Sequence, residues 1–229
     1  MNEGSDRMIC IPIMAKDTDG ALKKMAKANT LANIIEIRLD VMEEFDLKEI
    51  IHSSCKPILV TYRSRSEGGR GSAGYETRVR YLTESMKAGA DYVDMEFSIP
   101  LEHRQTIIYN RASCKIVVSL HLISGTPSRE RLDILFKKMV ATGADIVKMV
   151  TWATSWEDNF RVLQLIPKAQ AMGIEIIAFC MGPLGRISRI ACPLMGGYMT
   201  FASSKEGDES ASGQIPAPDI KQILETLSP

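Results

Sequence analysis

A repeated alternation between short apolar runs and longer segments of helical periodicity most restricts the fold of this chain. The apolar runs are rich in β-branched residues and are continuous, as is typical of strands that are covered on both faces. Eight such runs predict strands, at Met8–Ile13, Ile34–Leu39, Pro57–Tyr62, Tyr92–Phe97, Lys115–Leu120, Ile146–Val150, Glu175–Phe179 and Tyr198–Phe201. The segments between them predict helices, among others at Asp19–Ala28, Tyr75–Ala88, Ser128–Ala141, Trp156–Met172 and Pro218–Leu227.

The turn Gly-Ala-Asp occurs twice before a predicted strand, at Gly89–Asp91 and at Gly143–Asp145. In both cases a glycine that can end a helix leads directly into the next strand. Eight strand–helix units in 229 residues predict an α/β fold, a (β/α)₈ TIM barrel that occupies residues 1–229 as a single domain. An open doubly wound sheet is the alternative, but Ala15-Lys16-Asp17 follows the first strand where that fold carries a glycine-rich fingerprint.

The charge balance restricts the class of partner. The chain has 28 Lys and Arg against 28 Asp and Glu, so a general surface for nucleic acid or acidic membranes is not expected. No apolar run approaches the roughly 18 residues of a membrane span, and the first residues carry no leader pattern. The five cysteines include no C-x-x-C pair, which predicts neither a disulfide framework nor a closed zinc site. We therefore expect a cytoplasmic protein.

Two residues near the ends of neighbouring predicted strands carry the strongest chemical signal. Lys148 lies inside the apolar run Asp145–Val150, where loss of water lowers the pKa of an amine and makes it a nucleophile toward carbonyl groups. His121 ends the preceding strand, where an imidazole can act as a general acid or base. The alternative for Lys148 is a structural lysine that reaches solvent or pairs with Glu36, Asp94 or Glu96, and a lone strand-end histidine is more often structural.

Other polar residues cluster at the same ends of the predicted strands. Glu36 and Arg38 share one face of a buried strand. Two charges there indicate either part of a functional site or an internal ion pair. The segment Met181–Arg189 combines glycines, arginines and a helix start, which suits an anion but also an ordinary glycine turn. The loop Ser203–Pro218 contains Ser210 and Gln214, as a lid would, although an ordinary surface loop has the same composition.

Taken together, these segments resemble the type I 3-dehydroquinate dehydratases of the shikimate pathway. The resemblance spans nearly the whole chain, from Met14-Ala15-Lys16-Asp17 through E-I-R-L-D, T-Y-R-S-R-S-E-G-G, S-L-H, D-I-V-K-M-V and M-G-P-L-G-R-I-S-R to S-A-S-G-Q-I. One departure follows the histidine, where the family usually has an Asp-Phe pair and this chain has Leu122-Ile123.

The resemblance implies a complete set of site residues. It implies that Lys148 forms a Schiff base, that His121 is the general acid and base, and that Glu67 orients the histidine. The implied substrate-binding residues are Glu36, Arg38 and Arg63 for the ring hydroxyls and the organisation of the pocket, Arg189 rather than Arg186 for the carboxylate, Ser210 and Gln214 in a closing lid, and Phe201 and Met181 in the apolar wall. It also implies 3-dehydroquinate as the substrate, no cofactor, no metal, and a homodimer.

Two other classes of function stay open at this point. Another Schiff-base barrel, similar to a class I aldolase, would share Lys148 but should carry a glycine-rich phosphate cradle after the last two strands. Gly196-Gly197 precedes the last predicted strand instead. A non-catalytic barrel that only binds a carboxylated metabolite would have no use for a desolvated lysine beside a histidine.

Overall fold

A single parallel sheet of eight strands organises the computed structural model, which describes residues 8–227. The strands are β1 (Met8–Ile13), β2 (Ile34–Arg38), β3 (Ile58–Thr61), β4 (Tyr92–Glu96), β5 (Lys115–Leu122), β6 (Ile146–Trp152), β7 (Glu175–Met181) and β8 (Met199–Phe201). The helices are α1 (Thr18–Ala28), α2 (Leu47–His52), α3 (Tyr75–Lys87), α4 (Leu101–Tyr109), α5 (Arg129–Val140), α6 (Glu157–Leu163), α7 (Leu165–Ala171), α8 (Arg186–Leu194) and α9 (Ala217–Leu227).

The order of the strands makes the sheet a nearly closed barrel. Their order is β7-β6-β5-β4-β3-β2-β1-β8, so each strand from β1 to β7 pairs with its neighbour in sequence. The amide of Tyr198, just before β8, donates to the carbonyl of Ile176 in β7 at 2.7 Å and brings the two edges together. The predicted (β/α)₈ barrel is confirmed. It also explains the continuous apolar runs, because every residue of β2, β3 and β4 is buried.

The repeated Gly-Ala-Asp turns set the register between neighbouring strands. Gly89 and Gly143 have φ values of 98° and 78°, a left-handed conformation that glycine adopts without strain. The carboxylate of Asp91 then accepts from the amide of Ile58 at 2.8 Å, and that of Asp145 accepts from the amide of Ile116 at 2.8 Å. Each turn therefore both ends a helix and satisfies an amide at the start of the preceding strand.

Two sequence expectations differ from the structure. The single helix predicted over Trp156–Met172 is wrong, because the segment forms α6 and α7 with a break at Gln164. Pro167 explains the break, since its ring has no N–H for the carbonyl of Leu163 and collides with it. In addition, β5, β6 and β7 each extend two residues farther than predicted, held by pairings such as Leu122 with Thr151 and Trp152 with Met181.

Within residues 8–227, no helix combines the length and the apolar character needed to cross a membrane.

Candidate active site

A cavity opens at the carboxyl ends of the strands. All eleven site residues predicted from the sequence line it: Glu36, Arg38, Arg63, Glu67, His121, Lys148, Met181, Arg189, Phe201, Ser210 and Gln214. They come from six strands or the loops after them and from α8, so the fold brings together residues that are far apart in the sequence.

Lys148 presents a buried amine to this cavity. Its side chain projects from β6, and the residue is 4% exposed. The Nζ atom lies 3.2 Å from Oδ2 of Asp94 on β4 and 4.0 Å from the centre of the Phe201 ring. Of the three carboxylates that the sequence offered as partners, the structure selects Asp94. A carboxylate and an aromatic face offset the loss of water around the amine and hold it in one place.

His121 is fixed by Glu67 through two contacts. Oε2 of Glu67 lies 3.1 Å from Nδ1 of the imidazole and accepts the backbone N–H of His121 at 3.0 Å. Oε1 accepts from the hydroxyl of Ser98 at 3.1 Å. Glu67 reaches this position because it belongs to a short 3₁₀ turn that ends at Gly68, where φ is 83°. With Nδ1 engaged, Nε2 is the ring nitrogen that can serve a ligand in the cavity.

The environments of His121 and Glu67 shift their pKa values in opposite directions. Burial lowers the pKa of His121 well below its ordinary value, and the positive charges of Arg63 and Lys148 act in the same direction. Burial raises the pKa of Glu67 to about 7, although the charge of Arg63 opposes that rise. A neutral imidazole beside a carboxyl group that titrates near neutrality suits the uptake and return of a proton.

Arg63 binds the acidic residues at the mouth of the barrel. Its Nη2 lies 2.7 Å from Oδ2 of Asp94, and its Nη1 lies 3.0 Å from Oε1 of Glu96 and 2.9 Å from the hydroxyl of Ser119. Burial alone would lower the pKa of Arg63, but these carboxylates raise it above its ordinary value. Burial would likewise raise the pKa of Asp94, but Arg63 and Lys148 lower it to about 2. Asp94 is therefore a permanent anion behind the lysine.

Glu36 and Arg38 line the cavity but do not form the internal ion pair that was the alternative. Arg38 donates instead from Nε and Nη2 to the two carboxylate oxygens of Asp40, at 2.7 and 2.9 Å. Asp40 also accepts the backbone N–H of Arg70 at 3.0 Å, which ties the end of β2 to the loop after β3. Glu36 accepts from the hydroxyl of Thr61 at 2.7 Å.

Arg189 is a buried cation with no carboxylate partner. The residue is 1% exposed, and none of the ion pairs among residues 8–227 includes it. Its Nη2 donates to the carbonyl of Ser212 at 3.1 Å, and its guanidinium lies 4.5 Å from the centre of the Phe179 ring. Burial lowers its pKa to about 10. A buried, unneutralised guanidinium beside a cavity indicates an anionic ligand. Arg186 is exposed to solvent.

Ser210 and Gln214 close one side of the cavity. The amide of Ser210 donates to Oε1 of Gln214 at 2.7 Å, and Nε2 of Gln214 donates to the hydroxyl of Ser210 at 3.1 Å. The two side chains therefore brace each other across the loop Ser203–Pro218.

The cavity has further lining residues that the sequence analysis did not assign to it. Val150 follows Lys148 by two positions on β6, and Phe179 precedes Met181 by two positions on β7. Alternate residues of a strand face the same side, so this spacing was the signal that could have found them. Gly68 and Ala211 also line the cavity, beside Glu67 and Ser210.

Comparison with known proteins assigns the family. The model of type I 3-dehydroquinase matches residues 9–229 of this chain. The chain belongs to the type I 3-dehydroquinase family. The prediction of a type I 3-dehydroquinate dehydratase, a hydro-lyase of the shikimate pathway, is confirmed by this family assignment. The family favours it over the aldolase-like and the non-catalytic alternatives.

Individual relatives agree with this family. A 3-dehydroquinate dehydratase of Desulfotalea psychrophila is 32% identical over 225 residues, which is 95% of this chain and 97% of the relative. The bifunctional 3-dehydroquinate dehydratase/shikimate dehydrogenase of Arabidopsis thaliana is 39% identical over 224 residues, and there the chain spans only 36% of the relative. Among solved structures, the dehydratase of Geobacillus kaustophilus superposes with a TM-score of 0.87 at 29% identity, covering 98% of this chain and 92% of that one.

The opposed pKa shifts generate a prediction about stability. Because the pKa of Glu67 is raised from 4.5 to about 7, the folded chain holds a proton that the unfolded chain has released, and this stabilisation is lost as pH rises across that window. We expect Glu67→Gln to remove this loss. The comparison is made in a His121→Asn background, which removes the imidazole titration. There, the free energy of unfolding of the Glu67→Gln variant minus that of the chain with Glu67 should increase from pH 4.5 to pH 7. Urea denaturation at both pH values measures this difference in free energy of unfolding. A difference that is the same at both pH values contradicts the raised pKa of Glu67.

Proposed function

We propose that the cavity binds 3-dehydroquinate and removes water from it through a Schiff base on Lys148. One observation carries this proposal: a buried amine, a neutral imidazole held by a carboxyl group, and an unneutralised guanidinium all line the same cavity. These three groups match the ketone, the acidic proton and the carboxylate of the substrate. Membership of the type I 3-dehydroquinase family supports the same reaction.

The first step is formation of the imine. Nζ of Lys148 adds to the C3 ketone of 3-dehydroquinate, and the carbonyl oxygen leaves as water. The resulting protonated imine withdraws electrons from C2 and makes the C2 proton acidic. Asp94 lies 3.2 Å from this nitrogen and remains an anion because its pKa is about 2, so it stabilises the positive imine.

The second step is elimination. Neutral His121 takes the C2 proton, and the electron pair moves into the imine to give an enamine. As the electrons return, the C1 hydroxyl leaves with the proton that His121 returns, and hydrolysis of the imine releases 3-dehydroshikimate. One base serves both transfers, so the two groups leave from one face. Glu67 holds the imidazole through Nδ1 and keeps Nε2 directed to the substrate.

The remaining residues bind the rest of the substrate. Arg189 binds the carboxylate, since a guanidinium supplies both charge and direction. Glu36 and Arg38 hold the ring hydroxyls, while Arg63 organises the acidic residues behind Lys148. The apolar wall is formed by Phe201 and Met181, and the lid carries Ser210 and Gln214.

Reduction with borohydride in the presence of 3-dehydroquinate tests the mechanism. We expect the mass of the reduced ligand on the peptide that contains Lys148, and none after Lys148→Arg. Lys16→Arg is the matched control, because Lys16 is an exposed lysine that pairs with Glu43. His121→Ala should keep the adduct while turnover falls on the order of 10²- to 10⁴-fold.

Two results of that experiment contradict the mechanism. A label on Lys16, or an active enzyme without any label, removes Lys148 from its role. Near-normal turnover by His121→Ala means that another group is the general acid and base, and Glu67, which contacts the imidazole, is the first candidate.

The choice between Arg189 and Arg186 gives a second test. Losing a desolvated contact between a guanidinium and a carboxylate costs roughly 2–5 kcal/mol, whereas losing an exposed arginine costs less than about 1 kcal/mol. We expect Arg189→Ala to lower kcat/KM by about tenfold or more and Arg186→Ala to leave it nearly unchanged. If steady-state kinetics show that Arg186→Ala is the more damaging, the carboxylate lies elsewhere.

We also propose that the chain forms a homodimer through one apolar face. Trp156 and Phe160 lie four residues apart, the first just before α6 and the second within it, and are 58% and 70% exposed. Ile187, at the start of the neighbouring α8, is 53% exposed. Exposed side chains of this size at two helices that contact each other indicate a contact surface.

Sedimentation velocity tests the dimer. We expect the unmodified chain to sediment as a dimer and Trp156→Glu with Phe160→Glu to sediment as a monomer. Leu101→Glu, on the exposed face of α4, is the control and should remain dimeric. A monomeric unmodified chain, or a dimer that survives the double substitution, contradicts this interface.

A further inference from the structure

Two glycines meet where the loop after β7 touches the lid. A Cβ on Gly213 would lie 2.4 Å from the carbonyl oxygen of Gly182, closer than real atoms approach. Gly213 and Gly182 have φ values of +82° and +83°, in the left-handed region that favours glycine. The backbones of the lid and of the loop after β7 therefore touch directly, and we call this contact the glycine clasp.

The clasp lies one residue from the hydrogen bond that holds Arg189. The carbonyl of Ser212 accepts both the N–H of Gly182 at 3.2 Å and Nη2 of Arg189 at 3.1 Å. The Nε atom of Arg189 is buried and has no partner among the described residues. The guanidinium is thus oriented by the lid backbone while part of its donor capacity stays available.

We propose that Gly213 is a positioning residue for substrate binding. By allowing the glycine clasp, it places the Ser212 carbonyl so that Arg189 presents its remaining donors to the carboxylate of the substrate. This inference rests on the proposed role of Arg189. It makes carboxylate binding and lid docking reciprocal, because each favours the same position of the guanidinium.

The location of the clasp predicts which kinetic constant changes. Lys148 and Asp94 lie on β6 and β4, and His121 lies on β5, whereas the clasp approaches β6 at its last residue, Trp152, four positions beyond Lys148. Displacement of the lid should therefore weaken substrate binding more than it slows the chemical steps that follow. Loss of binding common to the ground state and the transition state raises KM and leaves kcat largely unchanged.

Gly207 supplies a matched control within the same lid. Its φ is +85°, and a Cβ there would meet nothing within 4 Å. Alanine at either position takes on the same left-handed backbone strain. Only Gly213→Ala adds the collision with Gly182, so the difference between the two variants isolates the clasp.

Steady-state kinetics with 3-dehydroquinate test the proposal. We expect Gly213→Ala to raise KM by about tenfold or more with kcat within about threefold, and Gly207→Ala to change each by less than about threefold. In an Arg189→Ala background, Gly213→Ala should add little to the rise in KM, since both changes act through one guanidinium. Equal effects of the two alanines, a fall in kcat alone, or additive effects on KM overturn the proposal.

Trypsin cleavage after Lys205 reports the lid without relying on turnover. Lys205 is exposed in the lid, so cleavage there should be faster in Gly213→Ala than in Gly207→Ala. If the unmodified chain forms no adduct with 3-dehydroquinate, the proposed function fails, but the difference in cleavage rate between the two variants still tests whether the clasp holds the lid.

If Gly213→Ala does not fold, Gly213→Asn and Gly207→Asn replace the pair, because asparagine tolerates left-handed backbone better but carries the same Cβ. Equal cleavage in the matched pair overturns the clasp.

Discussion

The ion-pair cluster around Arg63 is the interaction on which the site depends. Asp94, Glu96 and Glu67 all lie near one guanidinium that is 4% exposed, and Arg78 neutralises Glu96 from its other side. Removing one member of a buried ion pair leaves an uncompensated charge and costs about 3–5 kcal/mol. The loop after β3 is thus held against strand β4, and Asp94 is fixed as a permanent anion beside Lys148 inside the barrel.

The site contains two kinds of buried positive charge, and the contrast separates structure from binding. Arg63 and Arg38 are neutralised within the chain, and their pKa values are raised above the ordinary value. Arg189 has only a backbone carbonyl and an aromatic face, and burial lowers its pKa to about 10. A buried charge that the fold does not neutralise is left for the ligand. Under the proposed function, this contrast assigns the reaction to the end of the cavity that holds Lys148 and anion binding to the end that holds Arg189.

The features that the sequence predicted are those with a local physical signal. Continuous apolar runs predicted the strands because both faces of a barrel strand are buried, and charged residues at strand ends predicted the site because burial of such groups needs a reason. Val150 and Phe179 were missed because an apolar residue in an apolar strand has no charge that marks it, and only the two-residue spacing from Lys148 and Met181 indicates their place in the cavity. The partner of Lys148 stayed open among three carboxylates, since only the strand order and side-chain reach select Asp94. Pro167 did carry a signal, and its effect on the carbonyl of Leu163 outweighed the helical periodicity across it.

The family's Asp-Phe pair is replaced here by Leu122-Ile123, and the second of these positions stays apolar. Cγ2 of Ile123 lies 3.3 Å from where a Cβ of Gly68 would be, so this side chain packs on the turn that carries Glu67. Glu67 is itself only 6% exposed, and burial is the largest cause of its raised pKa. Among the charges, Arg63 acts most strongly on Glu67 and opposes that rise, while burial, Arg63 and Lys148 together lower the pKa of His121.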